Sequence, residues 1–435
     1  MKKLLLLGAT ALLFLFGVAC TSKSKQAEPS SFVKVNAEGQ FVRKGRPYYF
    51  VGANFWYGPI LASQGQGGDR ARLHKELDFL QNIGVTNLRV LVGADGENGV
   101  PTRVQPSLQT APGVYNDTIL DGLDYFMAEL GKRDMTAVLY LNNSWEWSGG
   151  YSVYLQWSGH GKAVVPAIDG WPAYMEYVKQ YQQSDSAKAL FAKHVNYIVT
   201  RTNRYTGKKY TEDPALMAWQ IGNEPRAFSE ENKAPFARWM AEVAAQIKSL
   251  DANHMVASGS EGMWGCEGDM ALFEQIHADP NIDYLNIHIW PYNWGWVKED
   301  SLTEMLPQAK ENTRKYIEDH LVVGNKYKKP VVLEEFGFPR DGFRFSKDTP
   351  TTARDAYYAY VFHLIRQERD KGGLFAGCNF WGWGGFAKQT PGHIYWEPGD
   401  DYTGDPAQEQ QGLNSVFATD STTVQIIKAE NEKLR

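Results

Sequence analysis

Cysteine is scarce in this sequence: three residues in 435, none arranged as CxxC or CxxxxC, so neither a disulfide framework nor a zinc knuckle is encoded. An excess of basic residues is missing too. Lys and Arg total 45 against 50 Asp and Glu, a net charge of −5, which removes the footprint of a nucleic-acid binder and points to a neutral partner. The apolar run from Leu4 to Ala19 is too short to span a bilayer. No glycine-rich turn completes GxGxxG, since neither Gly65-Gln66-Gly67-Gly68 nor Gly382-Trp383-Gly384-Gly385 fits, and this argues against a doubly wound nucleotide-binding sheet. Ser258 and Ser260 flank Gly259 without forming a GxSxG elbow, so serine nucleophile chemistry has no support. What the chain has in quantity is aromatic: 14 Trp and 23 Tyr, flat rings that fill cores and also stack on the apolar faces of sugars.

Lys2 and Lys3 precede the apolar run, which closes on Gly17-Val18-Ala19-Cys20. That pattern resembles a bacterial lipoprotein export signal, with Cys20 as the lipidated first residue of the mature chain, although Gly17 stands where Leu is usual. Ordinary secretion is the alternative. The expected division is a signal over residues 1–19, a flexible tether over 20–31 and one domain over 32–435. Cleavage removes two lysines and leaves 416 residues with a charge of −7, anchored in the outer membrane, facing the periplasm or the surface, or else secreted.

Eight short β-rich runs follow: Tyr48 to Phe55, Thr86 to Gly93, Thr136 to Asn143, Leu216 to Glu224, His254 to Ser260, Tyr284 to Trp290, Pro330 to Gly337 and Gly377 to Trp383. Segments of helical period separate them. Leu73, Leu77 and Leu80 share one face, as do Leu120, Leu123, Met127 and Leu130, and Phe236, Trp239, Met240, Val243 and Ile247. Thr352 to Asp370 and Thr422 to Leu434 supply the last two helices. Eight alternating pairs predict an α/β fold, a (β/α)8 barrel with long loops at the C-terminal ends of its strands. Phe32 to Arg46, with its Glu38-Gly39 turn, predicts a small hairpin leading into the first strand. Aromatic residues crowd the segments after strands three, six and eight, including Trp145, Trp147, Tyr151, Tyr154, Trp157, Trp290, Tyr292, Trp294, Trp296, Trp381 and Trp383, all expected on the functional rim.

Two of the runs end in acid. The fourth closes on Trp219-Gln220-Ile221-Gly222-Asn223-Glu224-Pro225 and the seventh on Val331-Val332-Leu333-Glu334-Glu335-Phe336-Gly337. A carboxylate at the end of an apolar strand is costly unless paired or neutralised, and paired-acid catalysis is one reason to keep it. Strands four and seven lie across the barrel mouth from one another, so both acids can converge on one bound group. Strand alternation predicts that only one of Glu334 and Glu335 faces the axis. Periodicity does not decide which, although Phe336-Gly337 sets Glu335 at the rim.

Asn223-Glu224-Pro225 with Glu335-Phe336-Gly337 resembles the retaining glycoside hydrolases of family 5, over a span from about Phe32 to the C-terminus. Gly52 to Tyr57, Asn142 to Trp145, Trp219 to Arg226, His288 to Pro291 and Gly404 to Gly412 look most like its endo-β-1,4-mannanase branch. The resemblance implies that Glu224 is the general acid/base and Glu335 the nucleophile of a double displacement. It also implies that Arg89 braces the nucleophile, that Asn223 binds the sugar 2-hydroxyl, that Trp381 lies under the sugar being cleaved, and that Trp56, Trp145, His288 and Trp290 complete the substrate site. Relatives carry Tyr where this chain has Trp290, so the hydroxyl offered to the nucleophile is missing or comes from elsewhere, such as Tyr292. No cofactor is implied and no metal, because no second His or Cys stands at ligand spacing from His288.

The expected protein is thus a monomeric endo-β-1,4-mannanase acting on a neutral β-linked polysaccharide such as mannan, galactomannan or glucomannan, with a membrane approached only through the lipid. An endo-β-1,4-glucanase on the same scaffold is the nearest rival, and a non-catalytic glycan-binding lipoprotein the third reading. Cys266 and Cys378 are expected to stay reduced.

Overall fold

The computed structural model describes residues 31–435; the expected signal, Cys20 and the tether up to residue 30 lie outside them. Eight parallel strands form one sheet: β1 (Phe50–Asn54), β2 (Asn87–Leu91), β3 (Thr136–Tyr140), β4 (Leu216–Gln220), β5 (Met255–Ala257), β6 (Leu285–Ile289), β7 (Val331–Phe336) and β8 (Phe375–Phe380). Their hydrogen-bonded order is β5-β4-β3-β2-β1-β8-β7-β6, and a parallel bridge from Ala257 to Tyr284 joins the two ends into a barrel. Every residue of the eight strands is buried, as a parallel sheet covered on both faces requires, and this is why they read as unbroken apolar runs.

One helix of the outer ring leads back to each next strand or closes the chain: α1 (Arg70–Asn82), α2 (Asp117–Lys132), α3 (Asp185–Val199), α4 (Lys233–Leu250), α5 (Met270–His277), α6 (Leu306–Tyr327), α7 (Thr352–Asp370) and α8 (Ser421–Leu434). Their starts carry the expected chemistry. Asp69, Asn116, Ser184 and Asp269 cap α1, α2, α3 and α5 through side chains that accept backbone N–H bonds. The apolar stripes of α1, α2 and α4 all pack inward on the barrel core.

The predicted hairpin is part of a three-stranded antiparallel sheet, Lys34–Val35, Phe41–Arg43 and Arg46–Pro47. Lys44 and Gly45, both at positive φ (52° and 75°), make the second tight turn that adds the third strand. Val33 and Phe41 from this segment cluster with Phe50, Val138, Met217, Met255, Tyr284 and Val332, closing the end of the barrel away from the strand C-termini.

The segment between β3 and α3 folds into its own helices, Gly150–Trp157, Pro166–Asp169 and Trp171–Val178. The segment after β8 is held by buried polar groups. Asp405 accepts from the backbone N–H groups of Gly412 (2.8 Å), Asn414 (2.9 Å) and Ser415 (3.1 Å). Arg340 binds Asp420 and the carbonyls of Gly412 and Ser415, and Arg354 binds those of Phe338, Leu413 and Ser415.

Asp405→Ala leaves three buried backbone donors without partners at roughly 1–3 kcal/mol each. Calorimetry should therefore show a loss of about 3 kcal/mol or more, whereas Glu318→Ala, on the exposed face of α6, should leave the melting temperature where it is. An unchanged melting temperature for Asp405→Ala would contradict the role given to this clamp.

Candidate active site

The C-terminal ends of the strands bring the acids together, but not through simple alternation. On β7, Leu333 pairs with Ile287 and Glu335 with His288, so Glu334 is an extra residue opposite the Ile287–His288 step. This bulge resets the alternation, and both Glu334 and Glu335 face the axis, which corrects the expectation that one of them points away. Glu334 sits lower, where it accepts from Tyr284 Oη (3.0 Å) and from Gln220 Nε2.

Arg89 reaches the same point from β2. Its guanidinium donates to Gln220 Oε1 (2.9 Å), Asn54 Oδ1 (3.2 Å), Asn223 Oδ1 (2.9 Å) and Glu335 Oε1, lies 3.2 Å from Glu334 Oε2, and stacks 4.4 Å above the Tyr140 ring. Glu224 is set by the loop after β4. Its backbone is left-handed (φ 49°), its N–H binds the Gly259 carbonyl (3.0 Å) and its own carbonyl accepts from Ser144 Oγ. Asn223 is paired with Asn143, so the Asn142-Asn143-Ser144-Trp145 segment extends β3 to support the end of β4. Gly259 is required here, since a Cβ at that position would meet the Gly222 carbonyl oxygen at 1.8 Å.

The Glu224 carboxyl accepts from the Trp145 indole N–H through Oε2, and its Oε1 lies 2.7 Å from His288 Nδ1. His288 Nδ1 is also 3.4 Å from Glu335 Oε2. One oxygen of Glu224, one of Glu335 and a ring nitrogen of His288 lie within 4.8 Å of one another. That spacing suits a cation, but the inward-facing groups are already engaged, Glu335 with Arg89 and Glu224 with Trp145 and His288.

Burial raises every acid in this cluster. Glu334 is pushed up to about 7, with Arg89 opposing. Burial drives Glu335 well above the usual carboxylate range, Arg89 opposes it, and Glu224 adds to it; Glu224 is itself raised by burial, against Arg226, Trp145 and Arg89. Two such close carboxyls keep a proton between them. Arg89 touches Glu335 directly, whereas Arg226 near Glu224 is already bound to Glu261 (2.7 Å), so cationic help for a charged form is strongest at Glu335. Burial, with Arg89 and Arg226 nearby, holds His288 well below its ordinary value, and its imidazole is neutral.

Above these groups opens a cleft of about 860 Å³ lined by Trp145, Asn223, Glu224, Trp290, Glu335 and Trp381. Arg89 and His288 are buried beneath it. Trp56 is not on its surface: it donates to the Gly404 carbonyl (2.9 Å) and packs edge-on against Trp147, supporting the wall from behind. Tyr292 does not replace the missing hydroxyl, because its Oη donates to Glu299 (2.7 Å) on the exposed loop. The expected aromatic rim also divides. Trp147 and Trp294 line the cleft, but Tyr151 and Tyr154 are buried against Tyr181 and Phe191 in the core made by the β3–α3 helices, and Trp383 is buried with its indole on Glu76.

Sequence reasoning missed Glu146, Arg226, Glu261, Gln408 and Glu409 in the lining. Glu146 and Glu261 are each pushed by burial to about 7, with Arg103 and Arg226 opposing. Gln408 Oε1, Glu409 Oε2 and Trp381 Nε1 are buried in the lining without a protein partner. A second depression of about 420 Å³, beside Arg43, Lys132 and Tyr205, faces neither catalytic-type acid.

The GH family 5 beta-mannosidase-like family model matches residues 30–435. A putative mannan endo-1,4-beta-mannosidase 9 of Oryza sativa subsp. japonica is 30% identical over 388 residues, 83% of this chain and 85% of that protein. Mannan endo-1,4-beta-mannosidase 1 of the same plant is 27% identical, covering 92% and 86%. Among solved structures, a glycoside hydrolase family 5 mannosidase from Rhizomucor miehei is 34% identical with a TM-score of 0.84, covering 93% of this chain and 97% of its own. An endo-beta-1,4-mannanase from Thermotoga petrophila shares the fold at 23% identity and a TM-score of 0.65, covering 90% and 77%. The paired acids at the ends of β4 and β7, on a barrel matched over its whole length, make this chain a member of glycoside hydrolase family 5, in its β-mannosidase-like group.

Proposed function

We propose that the chain is a retaining endo-β-1,4-mannanase in which Glu335 is the nucleophile and Glu224 the general acid/base. The observation that carries this reading is the approach of Glu224 and Glu335 to within 4.8 Å, the short separation of retaining enzymes (about 5–5.5 Å) rather than the roughly 6.5–9.5 Å that admits a water. Glu335, charged beside Arg89, attacks the anomeric carbon as Glu224 gives its proton to the leaving oxygen. Glu224 then takes a proton from the water that attacks the anomeric carbon, breaking its bond to Glu335 and releasing the sugar. Asn223 uses Oδ1 on Arg89 and one N–H on Asn143, which leaves its second N–H for the sugar 2-hydroxyl. Gln408, Glu409 and the Trp381 indole offer open hydrogen-bonding atoms to further hydroxyls of a neutral substrate.

Mannan as substrate follows the names of the plant relatives. A chain-end mannosidase is the second reading, favoured by the family description and the closer likeness to the Rhizomucor mannosidase. For location, we propose export and lipid attachment at Cys20, supported by Lys2, Lys3 and the Leu4 to Ala19 run.

The product profile on mannohexaose separates the readings. Early products of two to four sugars, released with the β-anomer first, are expected; mannose alone supports the chain-end enzyme, and activity on carboxymethylcellulose without mannan overturns the substrate. Glu335→Ala should abolish turnover and Glu224→Ala should cost roughly 10²–10⁴-fold, while Glu334→Ala keeps measurable activity. An inactive Glu334 variant beside an active Glu335 variant would reverse the assignment. Because Glu224 must hold its proton and its carboxyl is raised by burial, kcat/KM should fall on the alkaline side at a pH above the ordinary carboxylate range. An alkaline limb near pH 4.5 would contradict that role.

A further inference from the structure

The catalytic assignment gives the cleft a direction. Glu224 protonates the leaving oxygen, so the groups reached by moving from Glu335 past Glu224 face the leaving-group sugars. Trp145 is the first of them, its indole N–H bound to Glu224. Beyond it stands Trp171, whose ring meets that of Trp145 edge to face at 6.0 Å.

Trp171 is 54% exposed, although the other aromatic rings of the helix Trp171–Val178 that it begins, Tyr174 and Tyr177, are buried. Met175, one turn on, is 38% exposed, and both side chains line the cleft. Their exposure is not looseness of the helix. Trp171 packs edge-on against Tyr174 (5.8 Å), which is fully buried, and the Tyr174 hydroxyl donates to the Ser144 carbonyl (2.5 Å). Ser144 in turn holds the backbone of Glu224 through its hydroxyl. An apolar ledge is therefore fastened to the residue that carries the acid, with more than half of Trp171 left open to solvent. Exposed Trp beside Met costs solvation in a folded protein unless something apolar and flat covers it.

We propose that Trp171, with Met175, is a binding platform for the leaving-group side of the polysaccharide, stacking on a sugar beyond the first one after the scissile bond. This deepens the mannan-hydrolase reading and rests on it. A neutral sugar ring presents an apolar face that suits an uncharged aromatic surface, and a platform fixed to Glu224 through Tyr174 and Ser144 aligns the leaving chain with the acid. Short substrates do not reach the ledge, so it sets a preference for chain length without taking part in the chemistry.

The test compares Trp171→Ala, Trp171→Phe and the unchanged enzyme on mannohexaose and on mannobiose. Trp171→Ala should lower kcat/KM on mannohexaose about tenfold, through KM, and change that on mannobiose by less than twofold, while Trp171→Phe keeps most of the preference. Equal losses on both substrates, or no loss on either, would overturn the platform. Calorimetric binding of mannohexaose to Glu335→Gln, with and without Trp171→Ala, gives a second readout independent of turnover; equal affinities would also overturn it. An unchanged enzyme without activity on any β-mannan would instead sink the functional reading, which these comparisons report separately.

Discussion

Arg89 has no contact with solvent and commits its guanidinium to the ends of three other strands, binding Asn54 on β1, Gln220 and Asn223 at the end of β4, and Glu335 on β7. The Tyr140 ring of β3 lies beneath it. A buried cation is tolerated only when its charge and all its donors are answered, and removing one side of such an arrangement costs roughly 3–5 kcal/mol. The barrel mouth is thereby locked around one guanidinium paired with both Glu334 and Glu335, and the position of Glu335 follows from it. Burial raises all three crowded acids, Glu334 to about 7, and the same guanidinium opposes that rise most directly at Glu335, which it touches.

The second acid depends on a different set of supports. Glu224 sits in a left-handed backbone conformation, which persists because the surroundings over-determine it. The Gly259 carbonyl holds its N–H, Ser144 holds its carbonyl, and Trp145 and His288 hold its two carboxyl oxygens. Strands β3, β5 and β6 thus fix what β4 presents. The two carboxyls therefore sit in unlike surroundings, one in direct contact with the Arg89 guanidinium and the other held by an indole and an imidazole.

Much of the architecture is legible in the chain, because strands buried on both faces leave continuous apolar runs and barrel helices leave stripes. Seven of the eight runs contain an observed strand and the eighth, Gly377 to Trp383, overlaps one that begins earlier at Phe375, while the helix expected over Thr352 to Asp370 has those bounds. The inward turn of both Glu334 and Glu335 is not legible, since a bulge is a property of two neighbouring strands and β7 slips relative to β6. The aromatic rim is smaller than strand-end position suggests for a related reason. Tyr151 and Tyr154 follow a strand end in sequence, yet the long segment after β3 builds helices that need a core of their own, and those rings fill it. Gln408, Glu409, Glu146 and Glu261 come from three separate loops, and nothing in their local pattern marks them as neighbours. Trp56 lies in a segment that resembles the family, but that resemblance does not distinguish a ring that touches sugar from one that props the wall behind it.

The central claim is that Glu335 forms the covalent bond to sugar. A 2-deoxy-2-fluoromannoside with a good leaving group destabilises the transition states of both steps, and its glycosyl-enzyme accumulates long enough for digestion and peptide mass spectrometry. The account predicts one sugar per chain, attached to Glu335. Attachment to Glu334 or Glu224, or hydrolysis with inversion and no trapped adduct, would contradict it.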